Sequence, residues 1–402
     1  MPFHAPRAAI LWTCLALALA SVAPAAAQSA SRRLETSAGP VQVETLTQGL
    51  QHPWGLAFLP DGRMLVSERP GRLRVVARDG AISAPLTGLP AVYARGQGGL
   101  LHMALSPDFA RDRLVFFAYA EPGPRGSAGT ALARGRLAAD ASALENVATI
   151  FRQEPKAEGG LHFGARIAFD RAGHVFLTLG ERGLMTPAQD VSTHMGAIVR
   201  IARDGAVPRD NPFAGRAGAR PEIWSYGHRN VQGAAVHPRS GALWTHEMGP
   251  RGGDEVNIAR AGANHGWPLV SWGDHYDGRD IPDPPTRPDL ADAIHVWRPS
   301  IAPSGMAFYE ADLFAGWRGS LLVGALAGEA VIRLSLSGER VTGEERIRLG
   351  VRIRDLAVGP DGAVYALTDE ANGKVLRLAP LAAAAPAAAP AQAPGRPSAP
   401  TR

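Results

Sequence analysis

Apolar and polar positions alternate along this chain in short runs, and each run stops at a turn. An apolar-x-apolar step, two or three linking residues, then Gly or a bulky apolar residue recurs six times. The copies are LAFLPDG from Leu56, MALSPDF from Met103, IAFDRAG from Ile167, AAVHPRSG from Ala234, MAFYEADLF from Met306 and LAVGPDG from Leu356. Their starts are 47, 64, 67, 72 and 50 residues apart. A second short run often follows, as in RMLVSE, HVFLTLG, ALWTHE and AVYALTD. Period-two alternation broken by Pro-Asp-Gly or its equivalent is a strand-turn-strand signal. No amphipathic stretch of helix length lies between the copies. The pattern predicts an all-β protein, a six-bladed β-propeller, with a β-sandwich or barrel as the alternative. In a propeller the loops of every blade converge near one axis, so a site can be assembled from residues far apart in sequence.

The two ends read differently from the middle. Residues 1–27 carry a short basic start, the apolar run AAILWTCLALALASV and an Ala-x-Ala site ending at Ala27. That is the pattern of a secretory signal peptide; an uncleaved anchor is the alternative, disfavoured because a span needs about 20 apolar residues. The propeller domain is expected over residues 28–379. Residues 380–402 are rich in Ala and Pro with almost no large apolar side chains, and are expected to be disordered. The single cysteine, Cys14, falls in the leader. The exported chain therefore has no disulfide, thiolate nucleophile or Cys-ligated metal.

The net charge of +5 comes almost wholly from arginine, since the lysines are Lys156 and Lys374. These arginines are scattered among acids without basic runs or interleaved aromatics, which excludes a nucleic-acid-binding surface. Composition bias covers most of them, and bidentate capture of carboxylates or phosphates is the functional reading of the rest.

Polar clusters recur just before the repeat copies. RGQGGLLHMAL carries Gln97, GGLHFGARIAF carries His162, and SYGHRNVQGAAV carries Arg229, Asn230 and Gln232. WRPSIAPSGMAF carries Ser300, and GVRIRDLAV carries Arg352 and Arg354. If the blades superpose, these groups ring one end of the axis, and a ring with three arginines calls for an anion. Arg352 and Arg354 are two apart on an expected strand, so both face one side and could grip separate carboxylates; a solvated pair on a blade edge is the alternative. His162 reads either as a catalytic base or as a strand-end histidine bonded to backbone. EMGPRGGDEVNIARAGANHGWP combines turn-exposed carbonyls with Asp254 and Glu255. Oxygen-only ligands there suit Ca²⁺, and a polar hairpin loop is the alternative.

Taken together, GQGGLLHMALSPDF, HFGARIAF, SYGHRNVQG, EMGPRGGDEVN, GANHGWP and IRDLAVGPDG resemble the soluble quinoprotein sugar dehydrogenases, the glucose/sorbosone or aldose sugar dehydrogenase family. The resemblance runs from about residue 45 to 378. It implies a six-bladed propeller that binds pyrroloquinoline quinone (PQQ) and Ca²⁺ and oxidises aldose sugars in the periplasm. By the same resemblance His162 is the general base, Gln97 lies beside the sugar hydroxyl, and Arg229 and Asn230 contact the quinone oxygens, with Arg229 also stabilising charge there. Ser300 falls near the cofactor, and Arg352 and Arg354 bind it. Gly249 and Pro250 offer carbonyls to the cofactor's Ca²⁺, and Glu255 with the carbonyl of His265 resembles a second, structural Ca²⁺ site.

Two positions depart from the family pattern. Ala327, in GALAGEAVIRL, stands where the family commonly has a lysine against the quinone, and Leu161 stands where some members have an aspartate. The first removes a cation that would stabilise quinone charge, and the second points to a substrate preference other than glucose. The sugar is the expected small-molecule substrate, and the electron acceptor is external, a soluble cytochrome or a quinone, since the chain has no Cys-x-x-Cys-His haem motif. A Ca²⁺-dependent lactonase and a non-catalytic sugar- or protein-binding propeller are the rival readings.

Overall fold

Met1 and residues 31–381 are described by a computed structural model. Apart from Met1, the expected leader over residues 1–27 lies outside the described residues, as does all of the Ala/Pro-rich segment beyond Leu381.

Six antiparallel sheets form the six blades of a propeller. The innermost strands are Pro53–Phe58, Leu100–Leu105, Ile167–Phe169, Val231–Val236, Pro303–Tyr309 and Ile353–Val358, for blades 1 to 6. Each of the six sequence repeats lies on one of these innermost strands, and the runs that follow them form the second strands, such as Met64–Glu68 and Val364–Thr368. Blade 1 has three strands, and blades 2 to 5 have four.

Blade 6 closes the ring in a way the repeats did not announce. Its third strand, Gly373–Pro380, pairs with Gly39–Leu50 from the other end of the chain, Val43 opposite Leu378. Strand Ser31–Thr36 adds a fifth member to that sheet. The expected domain end at 379 is thus inside a strand that runs to Pro380.

The apolar core is mainly six layers, one between each pair of neighbouring blades, with two smaller clusters around Trp267 and Phe213. Phe116 and Leu132 of blade 2 meet Ile167 and Leu177 of blade 3 in one layer. Trp244 and Trp297 of blade 4 meet Leu321 and Ile332 of blade 5 in another. Leu56 and Val66 of blade 1 meet Leu367 and Val375 of blade 6 in the layer that shuts the ring. Second strands such as Leu243–Glu247 are buried along their whole length because a blade covers each face.

Around the axis the innermost strands change character. Five of the six carry a bulge against their second strand, at Trp54, at Leu101–His102, at Gln232, at Gly305 and at Arg354. A bulge leaves one residue unpaired and turns it out of the ladder. This is how apolar strands deliver Trp54, Gln232 and Arg354 to the axis.

Arg166 lies across that axis, buried, with Nη1 donating to Asp355 Oδ1 at 2.6 Å. Its Nε donates to the Gln232 carbonyl at 2.6 Å, its Nη2 to the Arg354 carbonyl at 3.1 Å, and the Trp54 ring lies 4.3 Å from its centre. Asp355 Oδ2 accepts the Leu56 amide at 3.0 Å. One ion pair therefore joins blades 1, 3, 4 and 6. Burial holds the Asp355 carboxyl above the usual carboxylate range despite Arg166.

Removing one partner of such a pair leaves a buried, unmatched charge. Asp355→Ala is expected to cost about 3–5 kcal/mol of stability, whereas the double variant Arg166→Met/Asp355→Leu costs markedly less. Urea unfolding of the three proteins checks this.

Candidate functional site

Loops at one end of the axis, where the innermost strands begin and the second strands finish, enclose a pocket of about 270 Å³. Gln97, Asn230, Arg352 and Arg354 line it, all of them expected from sequence, together with Trp54, Arg69, Gln232 and Asp369.

His162 sits at the edge of this pocket, between exposed Leu161 and pocket-lining Phe163. Its amide donates to Gln97 Oε1 at 2.8 Å, so the Gln97 carbonyl oxygen orients the histidine loop and leaves the amide nitrogen as that side chain's free donor. Its ring Nδ1 is 2.5 Å from Oε1 of Glu181, which is itself buried. Burial pushes the Glu181 carboxyl up, but the His162 ring and the Met185 amide outweigh it and hold the group below the usual carboxylate range. An ionised carboxylate only accepts, so the Nδ1 edge carries the proton and Nε2 is the nitrogen left to act on a substrate. This is the arrangement of an oriented base.

Glu181 was missed in the sequence. Its signal was available: acids close the second strands of several blades, as Glu68, Glu121, Glu247 and Asp369 do elsewhere.

The backbone here is under constraint. His162 has φ 50° and Ala165 φ 84°, in the left-handed region that disfavours side chains. Gly180, on the segment beneath, faces the His162 carbonyl so closely that an added Cβ would lie 2.2 Å from it.

Arg352 and Arg354 both line the pocket, on one side as their two-residue spacing predicted. Both converge on Asp369, Arg354 Nη2 at 3.0 Å and Arg352 Nε at 3.5 Å. A bulge against the second strand falls at Arg354. The Nε of Arg354 is buried without a protein acceptor. Burial pulls the Arg354 guanidinium down, and Asp369 partly restores it.

Arg229 is buried on the far side of Met248, with Nη1 donating to the Met248 carbonyl at 3.0 Å and Nη2 to the Tyr276 hydroxyl at 3.2 Å. It lines a second, much smaller cavity of about 20 Å³, with Glu247, Gly249, Glu255, His265 and Ser271. Met248 borders both cavities. Glu247 fixes this wall, accepting from His228 Nδ1 at 2.8 Å and from the Arg229 amide at 2.6 Å. Burial, and next the Glu247 carboxylate, push the Glu255 carboxyl up to about 8. The His265 ring stacks on His228 at 4.3 Å with both nitrogens buried and unpartnered. Among the described residues no three His, Cys, Asp or Glu side chains are grouped to hold a metal ion.

Ser300 lines neither cavity. Its hydroxyl donates to Asp254 Oδ2 at 2.5 Å, beside the amides of Ile301 and Ala302, while Asp254 Oδ1 accepts the Gly249 amide at 3.0 Å. Asp254 thus ties the 248–254 turn to the 300–302 loop, and from that loop it is Ala302 that reaches the pocket. Pro250 is buried within the same turn.

Fold and site together define a six-bladed propeller with an oriented histidine–carboxylate pair at the mouth of a basic axial pocket. The model of the Glucose / Sorbosone dehydrogenase family matches residues 50–377, and the chain belongs to that family. It is 48% identical over 345 residues to the aldose sugar dehydrogenase YliI of Escherichia coli K12, covering 85% of this chain and 93% of that protein. The apo-form structure of the E. coli soluble aldose sugar dehydrogenase superposes with a TM-score of 0.82 at 47% identity, over 85% of this chain and 100% of the other. The PQQ-bound aldose sugar dehydrogenase of Streptomyces coelicolor superposes with a TM-score of 0.70 at 28% identity, over 87% of this chain and 99% of the other.

Gly180→Ala is expected to displace the His162 loop and cost about 1–3 kcal/mol, because overpacking against backbone has no easy relief. Gly316→Ala, where an added Cβ meets nothing within 4 Å, is the control. Urea unfolding of both variants makes the comparison.

Proposed function

We propose that this chain is a periplasmic, PQQ- and Ca²⁺-dependent dehydrogenase that oxidises aldose sugars at the anomeric carbon to lactones, with His162 as general base. The observation that carries the reading is the His162–Glu181 pair, a base whose ring is fixed by a buried carboxylate at the edge of an arginine-lined pocket.

The pocket suits a planar polycarboxylate. Arg69, Arg352 and Arg354 outnumber its one carboxylate, Asp369, and the Arg354 Nε awaits an acceptor. Trp54 offers a ring, while Asn230 and Gln232 offer amides. Bound PQQ supplies hydride acceptance. The protein's part is proton transfer and positioning. His162 Nε2 takes the C1 hydroxyl proton, and Glu181 steadies the imidazolium that results. Gln97 holds the loop and offers its amide nitrogen to the sugar. Arg352 and Arg354 would grip the cofactor's carboxylates. Asn230, which lines the pocket, would contact the quinone oxygens, and Arg229, behind Met248, would lend positive charge to that wall. Ala327 is exposed and leaves Leu326 to line that wall, so the pocket's positive charge comes from blades 1 and 6.

Calcium fits the chemistry of the neighbouring turn. Gly249 and Pro250 would lend carbonyls to the ion beside the cofactor. Glu255 and the His265 carbonyl would hold the second ion, in a cavity whose crowded carboxylates a divalent cation would offset. A metal-dependent lactonase needs carboxylate ligands at the axis, and Asp369 already serves two arginines. The periplasmic assignment rests on the leader-like residues 1–27; among the described residues no helix is long and apolar enough to cross a membrane. Electrons leave to an external soluble cytochrome or quinone.

Reconstitution with PQQ, Ca²⁺, glucose and a dye acceptor tests the activity. His162→Asn is expected to lower kcat by about 10²–10⁴-fold while the cofactor still titrates in. Dye reduction at the unaltered rate would remove His162 from the mechanism.

The Glu255 carboxyl gives a second check. Its pKa rises from 4.5 to about 8 on folding, so between those values the folded chain binds more protons than the unfolded one. Stability of the chelator-treated protein should therefore fall as pH rises through that window. Added Ca²⁺ should raise the melting temperature more at pH 8 than at pH 5, read by thermal unfolding at both.

A further inference from the structure

Arg182 is a buried cation that the proposed chemistry does not use. Burial pulls its guanidinium down to about 10. The adjacent carboxylate, Glu181, is engaged elsewhere, with one oxygen on His162 Nδ1 and the other accepting the Met185 amide at 2.7 Å. A buried charge without an ionic partner is retained only where hydrogen bonds replace water completely.

Those bonds have a common destination. Arg182 Nε donates to the Leu161 carbonyl at 2.8 Å and Nη2 to the Gly159 carbonyl at 2.6 Å. Nη1 donates to the Ala128 carbonyl of blade 2 at 2.5 Å. The guanidinium also lies 3.8 Å from the centre of the Phe163 ring. Gly159, Leu161 and Phe163 bracket His162. The fork thus staples the histidine loop to blade 2.

That loop needs holding. His162 at φ 50° and Ala165 at φ 84° occupy conformations that persist only when their surroundings over-determine them. Two consecutive residues hold it together, Glu181 by the imidazole and Arg182 by the backbone just before it, at Gly159 and Leu161, and by the Phe163 ring just after. A lysine, a point charge with no planar fork, cannot serve three carbonyls in this geometry.

We propose that Arg182 is a positioning residue, whose guanidinium pins the 159–163 loop so that the His162 ring stays on Glu181 and faces the reacting hydroxyl. This rests on the reading of His162 as the base, and the test separates the two.

Arg182→Met, Arg182→Gln and Arg182→Lys are made in the full chain, beside His162→Asn. Hydrogen exchange of the cofactor-free proteins is followed by mass spectrometry, and sugar oxidation is measured after loading with PQQ and Ca²⁺. In Arg182→Met, exchange over 157–165 should accelerate while the strands of blades 4 to 6 keep their protection. Its kcat should fall about a hundredfold, the scale expected of a base displaced by an ångström, with KM and the PQQ titration nearly unchanged. Arg182→Lys should recover part of both effects. If Arg182→Met fails to fold, the Gln and Lys variants carry the same comparison. Wild-type exchange and kcat in the folded variants would overturn the proposal, and so would faster exchange spread evenly over all blades. Wild-type kcat in His162→Asn would remove the base reading instead, leaving the exchange result to decide whether Arg182 holds the loop.

Discussion

The ion pair between Arg166 and Asp355 is the constraint on which the axial site depends. A propeller has no single core; its apolar layers lie between blades and leave the axis to be filled by something polar. Here one guanidinium fills it, taking a carboxylate from blade 6 and carbonyls from blades 4 and 6, and resting on a tryptophan of blade 1. Its own strand is fixed in turn, because Thr178 Oγ1 accepts the Arg166 amide and donates to the Val231 carbonyl. The groups Arg166 touches are next to the residues that line the pocket. Gln232 and Arg354 lend it their carbonyls and turn their side chains to the cavity. The floor of the site and the closure of the ring are therefore one network. Such a pair contributes more to a unique arrangement than to net stability.

Above that floor the site departs from regular structure on purpose. Bulges put Trp54, Gln232 and Arg354 where an unbroken ladder would have hidden them. The His162 loop is held in left-handed backbone between two buried charges of opposite sign, Glu181 and Arg182. Regular strands bring the loops to one place, and irregular backbone decides what they present.

The same division explains what could be read in advance. The six repeats marked the innermost strands, because period-two burial and Pro-Asp-Gly turns are local signals. The polar clusters before them hold Gln97, Asn230, Arg352 and Arg354, which line the pocket, and His162, whose amide donates to Gln97 beside it. Closure by Gly39–Leu50 was not legible, since pairing between the two ends of a chain leaves no local mark. That Arg352 and Arg354 share Asp369 was not legible, because the acid lies just past the next strand's end and only the fold brings it near. Ser300 looked like a site residue and proved to cap Asp254, a choice that depends on which acid the fold brings near.

One repeated position shows how function is set into this scaffold. Acids stand at or just past the end of the second strand in five blades, and each has a different partner. Glu68 holds Arg72 and Arg74, and Glu121 holds Arg152 and Lys156. Glu247 holds His228 and the Arg229 amide, and Asp369 holds two pocket arginines. In blade 3 the acid is Glu181 and its partner is the histidine at the pocket edge. In blade 5 the corresponding stretch is Leu326–Ala327, with no acid and no cation. In five blades the chain supplies a carboxylate near the end of the second strand; the neighbouring loop determines whether it closes a surface ion pair, braces a wall or orients a base. Chemistry on this fold then follows from the partner each blade offers its acid, which is why the repeat alone announces the architecture and only the contacts identify the site.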